Sequence, residues 1–144
     1  MKRRGIQFST RHKRWFYSVT VLLFLTGAAW ALGGALAESA GNHGDFFRAA
    51  RQWSLKLHGA AAMAFLVALG ILIPTHLRRG WTARRNRING AFLASVVGLL
   101  VVTGYGLYYF GGEQSRAVAS WVHLVVGFAS PLLLALHIWH GRRS

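Results

Sequence analysis

Four apolar runs dominate this chain: Trp15 to Leu36, Trp53 to Leu77, Ile88 to Phe110 and Val118 to Trp139. Each reaches the roughly 20 residues that a helix needs to cross about 30 Å of hydrocarbon. Inside a bilayer no water is at hand to bond peptide groups, so such a segment must satisfy its own backbone, which selects α-helix. The expected fold is all-α: a four-helix transmembrane bundle, up-down-up-down, forming one domain over residues 1–144. The expected helices cover about 15–36, 53–77, 88–110 and 118–139.

The formal charge of +14 would ordinarily raise nucleic acid as a partner, but its placement points elsewhere. Lys2, Arg3, Arg4, Arg11, Lys13 and Arg14 precede the first run. Arg78, Arg79, Arg84, Arg85 and Arg87 fill the second connection, and Arg142 and Arg143 close the chain. Thirteen of the 17 basic residues thus fall on one side, while Glu38, Asp45 and Glu113 fall on the other with Arg48, Arg51, Lys56 and Arg116. The positive-inside rule sets both termini in the cytoplasm, and the expectation is no nucleic-acid partner. Trp15, Trp81 and Trp139 mark the inner interface; Trp30, Trp53, Trp121 and the aromatics from Tyr105 to Phe110 mark the outer one. Residues 1–37 combine a basic start with Ala35-Leu36-Ala37, a small-residue pattern like a cleavage site. The apolar stretch is long for a signal peptide, so it reads as a retained first helix.

A two-fold repeat runs through the chain. The first helix carries Leu25-Thr26-Gly27 and ends in Gly33-Gly34; the third carries Val102-Thr103-Gly104 and ends in Gly111-Gly112. After each comes a polar connection, then a Trp shortly before a His: Trp53 before His58, Trp121 before His123. Both even-numbered helices close on His-x-x-x-Gly, from His76 to Gly80 and from His137 to Gly141. The expected halves are two similar helical hairpins. The outer connection from about Leu36 to Gln52 is the longest, with Gly41-Asn42-His43-Gly44-Asp45 reading as a flexible turn.

The histidines follow the repeat. His58 and His76 are 18 residues apart, which at 100° per residue returns to the starting face; His123 and His137 are 14 apart, 40° short of four turns. Each pair is a stripe down one helix, about 27 Å and 21 Å long by helical rise. The 6 Å difference requires tilt, or distortion near Pro74. Ionisable groups inside a membrane are costly and usually functional. Four imidazoles in two matched pairs suit two stacked b-type haems, each clamped by one His from each of the two helices. Cysteine is absent, which excludes thioether-attached haem, disulfides and the usual iron–sulfur ligation. Any haem is therefore non-covalent.

Gly27 and Gly104 are repeat mates, and with Gly59, Gly90 and Gly127 they offer the close backbone approach that a flat porphyrin needs. Lys56 outside, and Arg78 and Arg79 inside, are basic residues at the levels of haem propionates, although snorkelling explains them equally well. His43 is expected in solvent and His140 at the interface.

With these residues in place, the chain resembles the bacterial cytochrome b561-like family, which includes the membrane b-type subunits of hydrogenases and formate dehydrogenases. The resemblance covers about residues 12–141. It is carried most specifically by Trp121-Val122-His123, Gly127 and Leu136-His137, and also by Leu57-His58-Gly59. It implies a four-helix di-haem bundle passing electrons between quinone and a partner protein, in the bacterial inner membrane. In several members the inner haem takes a ligand from the start of the first helix, where His12 lies here. The internal repeat points to His76 instead, so His76 is the expected inner ligand and His12 the runner-up.

No side-chain constellation suggests a nucleophile or an acid–base pair, and no carboxylate falls within an apolar run. The expected role is that of an electron carrier, or the membrane subunit of an oxidoreductase, with lipid, quinone and a periplasmic or membrane redox protein as partners. The acids and the longest loop favour the outer face for protein docking. Two other classes use the same residues differently: a metal-ion-binding membrane transporter, and a cofactor-free membrane anchor of a larger complex.

Overall fold

The computed structural model describes residues 10–39, 44–77, 81–82 and 87–143. His43, Gly80, the basic residues before Thr10, and Arg78, Arg79, Arg84 and Arg85 lie outside the described residues. Helices α1 (Thr10–Ser39), α2 (Gly44–Leu72), α3 (Arg87–Tyr109) and α4 (Glu113–Arg143) follow one another, with a π-helical turn at Ile73–Leu77 closing α2. The chain is all-α, and no strand occurs among the described residues. All four helices are long and apolar enough to cross a membrane. Leucines, valines and aromatics such as Leu25, Val67, Phe92, Val102 and Leu132 stand exposed along them, as a lipid-facing surface requires.

The chain divides into two compact units between His76 and Leu77. Each unit is one antiparallel hairpin, α1 with α2 and α3 with α4.

The first hairpin closes on small residues at seven-residue intervals. Val19, Thr26 and Gly33 are buried on α1, and Ala61 and Ala68 on α2. A heptad interval keeps one seam facing its partner, and small side chains let two membrane helices approach closely. Near the start of α1, Phe16 meets Phe65 of α2, with ring centroids 5.7 Å apart. In the second hairpin the buried seam is Thr103 and Gly106 on α3 and Ala119 on α4.

The helices run past their apolar cores. Residues 44–52, expected within the long outer connection, are helical. Asp45 sits in the first turn of α2, where a carboxylate complements the helix dipole, and it pairs with Arg48 one turn on. Gly44 and Asp45 are therefore helical rather than part of a turn, and only residues 40–43 separate the described parts of α1 and α2. α4 likewise starts at Glu113 rather than near Val118 and runs on to Arg143. Hydropathy marks the bilayer-spanning part of a helix and is blind to its polar ends.

Two prolines shape the even-numbered helices. Pro74 lacks the N–H that would continue the α-helical ladder, and the backbone there widens into the π-helical turn Ile73–Leu77. A π turn holds more residues per turn than an α-helix, so His76 lags the face that uniform 100° steps assign it. Pro131 lies inside α4 without breaking it. Its ring leaves the Gly127 carbonyl without the usual amide donor, and the Ser130 hydroxyl donates to that carbonyl at 2.7 Å. This is the side-chain compensation that lets proline persist in membrane helices.

Candidate functional site

His58 and His123, the histidines expected on the outer side, are each held by the Thr-Gly pair of the neighbouring helix in the same hairpin. In the first hairpin, His58 Nδ1 is 2.9 Å from the Leu23 carbonyl oxygen. A carbonyl only accepts, so the proton is on Nδ1. Thr26 Oγ1 lies 3.2 Å from the same nitrogen. Its own hydrogen points back to the carbonyls of Leu22 and Leu23, at 2.8 and 3.1 Å, which leaves an oxygen lone pair towards the imidazole N–H. Both contacts agree on the tautomer.

The second hairpin repeats the arrangement. Thr103 Oγ1 is 3.0 Å from His123 Nδ1, and its hydrogen is directed to the carbonyls of Leu99 and Leu100 at 2.7 and 3.2 Å. Two oxygens 2.7 Å apart need a hydrogen between them, and only the threonine has one. The hydroxyl therefore accepts from His123 Nδ1–H. In both residues the ring nitrogen carrying the lone pair is Nε2.

Glycine makes room for these contacts. A Cβ on Gly27 would stand 3.0 Å from His58 Cε1 and 3.2 Å from Nδ1; one on Gly104 would stand 3.3 Å from His123 Cε1. The two repeat-mate glycines thus seat the edges of the two imidazoles. Around Gly59 and Gly90 a Cβ would meet nothing within 4 Å, and at Gly127 only Leu100, at 4.0 Å. Both imidazoles are half-buried.

The histidines expected on the inner side are placed differently from each other. His137 is half-buried on α4, beyond Pro131. His76 is exposed in the π-helical turn, and His12 is exposed in the first turn of α1. In an antiparallel hairpin these last two lie at the same end. His140 is exposed, with its ring centroid 6.1 Å from that of Trp139.

Basic side chains are seated on interfacial tryptophans: Arg51 on Trp30 at 4.5 Å, Lys56 on Trp53 at 4.5 Å, Arg87 on Trp81 at 5.5 Å and Arg143 on Trp139 at 3.9 Å. Cation–π pairs of this kind fit a belt that is apolar on one side and wet on the other. Lys56 is two residues from His58, about 160° around the helix, so it faces away from the imidazole. That spacing makes it a poor partner for anything bound at His58.

Thr26 and Thr103 stand in the repeat without a role that spacing alone could assign. Their signal was the glycine that follows each: a hydroxyl beside a gap, on the helix neighbouring a histidine. No group of three or more His, Cys, Asp or Glu that could hold a metal ion occurs among the described residues, so any ligation would rest on single imidazoles. A ligating histidine almost always donates its other ring N–H to a carbonyl, carboxylate or water, which fixes its tautomer and raises its basicity. Nε2 of His58 and Nε2 of His123 are the atoms that could hold an iron.

No protein-family model matches the chain, and no characterised protein or solved structure matches it either.

Proposed function

We propose that this chain is a di-haem b-type cytochrome of the bacterial inner membrane, relaying single electrons between quinone or quinol and a redox partner protein. The observation that carries the reading is the duplicated Thr-Gly seat, which fixes one imidazole in each hairpin through its Nδ1–H and leaves Nε2 as the ring nitrogen that would ligate iron. His58 and His123 would ligate the outer haem. His137 and His76, with His12 as the rival to His76, would ligate the inner one. The haems, bis-His and non-covalent, would supply a one-electron centre towards each side of the bilayer.

The protein's share is to fix ligand geometry and basicity and to keep the site apolar. Thr26, Leu23 and Thr103 orient the rings, Gly27 and Gly104 let them sit close to the neighbouring helix, and the apolar helix faces exclude water. Charge asymmetry supports both termini in the cytoplasm. The outer end of the first hairpin, where α1 and α2 carry Glu38, Asp45 and Arg48, suits docking of a protein partner.

The test is haem content of the purified protein after single substitutions. His58→Ala and His123→Ala should each remove the same haem, the outer one, and His137→Ala the other. His76→Ala and His12→Ala then separate the inner candidates: the ligand is the one whose loss removes the inner haem. Unchanged haem content in both His58→Ala and His123→Ala would contradict the assignment.

A further inference from the structure

Arg51 stands in the early turns of α2 and reaches across to the end of α1, within the first hairpin. A Cβ on Gly33 would stand 3.4 Å from Arg51 Cβ, so the two helices touch where the side chain begins. A Cβ on Gly34 would stand 3.3 Å from the guanidinium carbon and 3.5 Å from both Nε and Nη2. These near-equal distances place it over the centre of the guanidinium plane rather than beside an edge. Trp30, one turn back along α1, has its ring centroid 4.5 Å from the same carbon. Two consecutive glycines and an indole thus seat the cation by its face, and a methyl group at Gly34 would push the plane away.

A guanidinium carries its N–H groups in its plane, so a face-on seat leaves the donors pointing away from the shelf. Arg51 forms no hydrogen bond or ion pair with any described residue, and its Nε is buried without a partner among them. Asp45 is taken by Arg48, and Glu38 on α1 forms no ion pair with Arg51. A half-buried charge held in place without a counter-charge is costly. Trp30 and Trp53 set this end of the hairpin at the level of an aromatic belt. At that depth the anion that a bilayer itself supplies is the phosphate of a phospholipid.

We infer that Arg51 is the seat of an anionic phospholipid, whose phosphodiester accepts two parallel N–H···O bonds from the guanidinium edge. An anionic headgroup is favoured over a zwitterionic one, whose own ammonium competes for the phosphate. The seat lies wholly in the first hairpin and requires no haem, so it stands or falls separately from the electron-transfer reading. A seated arginine loses little freedom on binding, and its charge stays fixed at any physiological pH.

The experiment uses the full chain, purified in non-ionic detergent, stripped of lipid and immobilised. It is offered an equimolar mixture of phosphatidylglycerol and phosphatidylcholine with identical acyl chains, and lipid retained after washing is counted by mass spectrometry. Wild-type protein should retain phosphatidylglycerol over phosphatidylcholine by about tenfold. Arg51→Gln should lose most of that preference. Arg51→Lys should regain only part of it, because an ammonium has the charge without the fork. Arg116→Gln, which removes an exposed arginine from the second hairpin, should keep the wild-type preference. The inference is overturned if wild-type protein retains the two lipids equally, or if Arg51→Gln keeps the preference. It is equally overturned if Arg116→Gln loses as much as Arg51→Gln, which marks diffuse charge, or if Arg51→Lys matches wild type, which rules out the fork. Displacement of the lipid by inorganic phosphate at matched ionic strength would point to a free ion and overturn it too. The wild-type comparison of the two lipids needs no variant to fold.

Discussion

At the scale of single residues, the decisive atoms are two imidazole nitrogens and the oxygens that hold them. A bonded Nδ1–H makes the ring a stronger donor through Nε2 and so favours ferric over ferrous iron. Thr103→Val keeps the shape and removes the acceptor at 3.0 Å. The midpoint potential of the proposed outer haem should rise by roughly 20–60 mV, since a tenfold change in relative affinity corresponds to about 59 mV for one electron. Thr103→Ser should leave it near the wild-type value. Thr26→Val should shift it less, because the Leu23 carbonyl remains 2.9 Å from His58 Nδ1. A spectroelectrochemical titration checks all three variants. Gly27→Ala and Gly104→Ala test the seats themselves. A methyl group 3.0 Å from His58 Cε1 is tighter than one 3.3 Å from His123 Cε1, and overpacking of this kind costs about 1–3 kcal/mol. Gly27→Ala should therefore lower the thermal midpoint and the outer-haem occupancy more than Gly104→Ala does. Part of this was legible beforehand. The repeat marked Gly27 and Gly104 as places where a flat porphyrin would come close to the backbone. What comes close in each hairpin is an imidazole edge, and an interval along one helix cannot name its neighbour on another.

At the scale of elements, apolar run length located all four helices but not their ends. The outer turns of α2 and α4 are polar, and they are helical because Asp45 and Glu113 stand at their positive ends and the ladder continues from the apolar core. The prolines were harder to read. Pro74 and Pro131 both sit in apolar runs, yet one gives a π-helical turn and the other an unbroken α-helix. The difference at Pro131 includes a neighbour, since Ser130 supplies a donor to the carbonyl that proline leaves open. Ser130→Ala should destabilise the protein by about 1 kcal/mol, measured by unfolding in mixed micelles. In a Pro131→Ala background the amide returns, and the same change should cost little. A double-mutant cycle between the two positions reads that coupling directly.

At the scale of the whole molecule, the proposed orientation rests on charge and the proposed cofactor positions rest on the repeat. The chain has no cysteine, so single cysteines report topology without background. A membrane-impermeant maleimide added outside intact cells should label Ser115→Cys at the outer end of α4. It should label Arg143→Cys, at the opposite end of the same helix, only after lysis. The reverse pattern would contradict the cytoplasmic placement of the termini. The division into two hairpin units was visible in the sequence as the Thr-Gly and His repeat. It was visible because two hairpins that solve the same problem, holding one imidazole against a close neighbour helix, carry the same residues at the same places.

The central claim is that these hairpins exist to hold haem, and the haem-to-chain ratio of the purified protein tests it most directly. A pyridine haemochrome assay, combined with the absorption spectrum, should give two non-covalent b haems per chain, with a Soret band and sharp reduced α and β bands of low-spin bis-His iron. A colourless preparation from haem-replete cells would contradict the account.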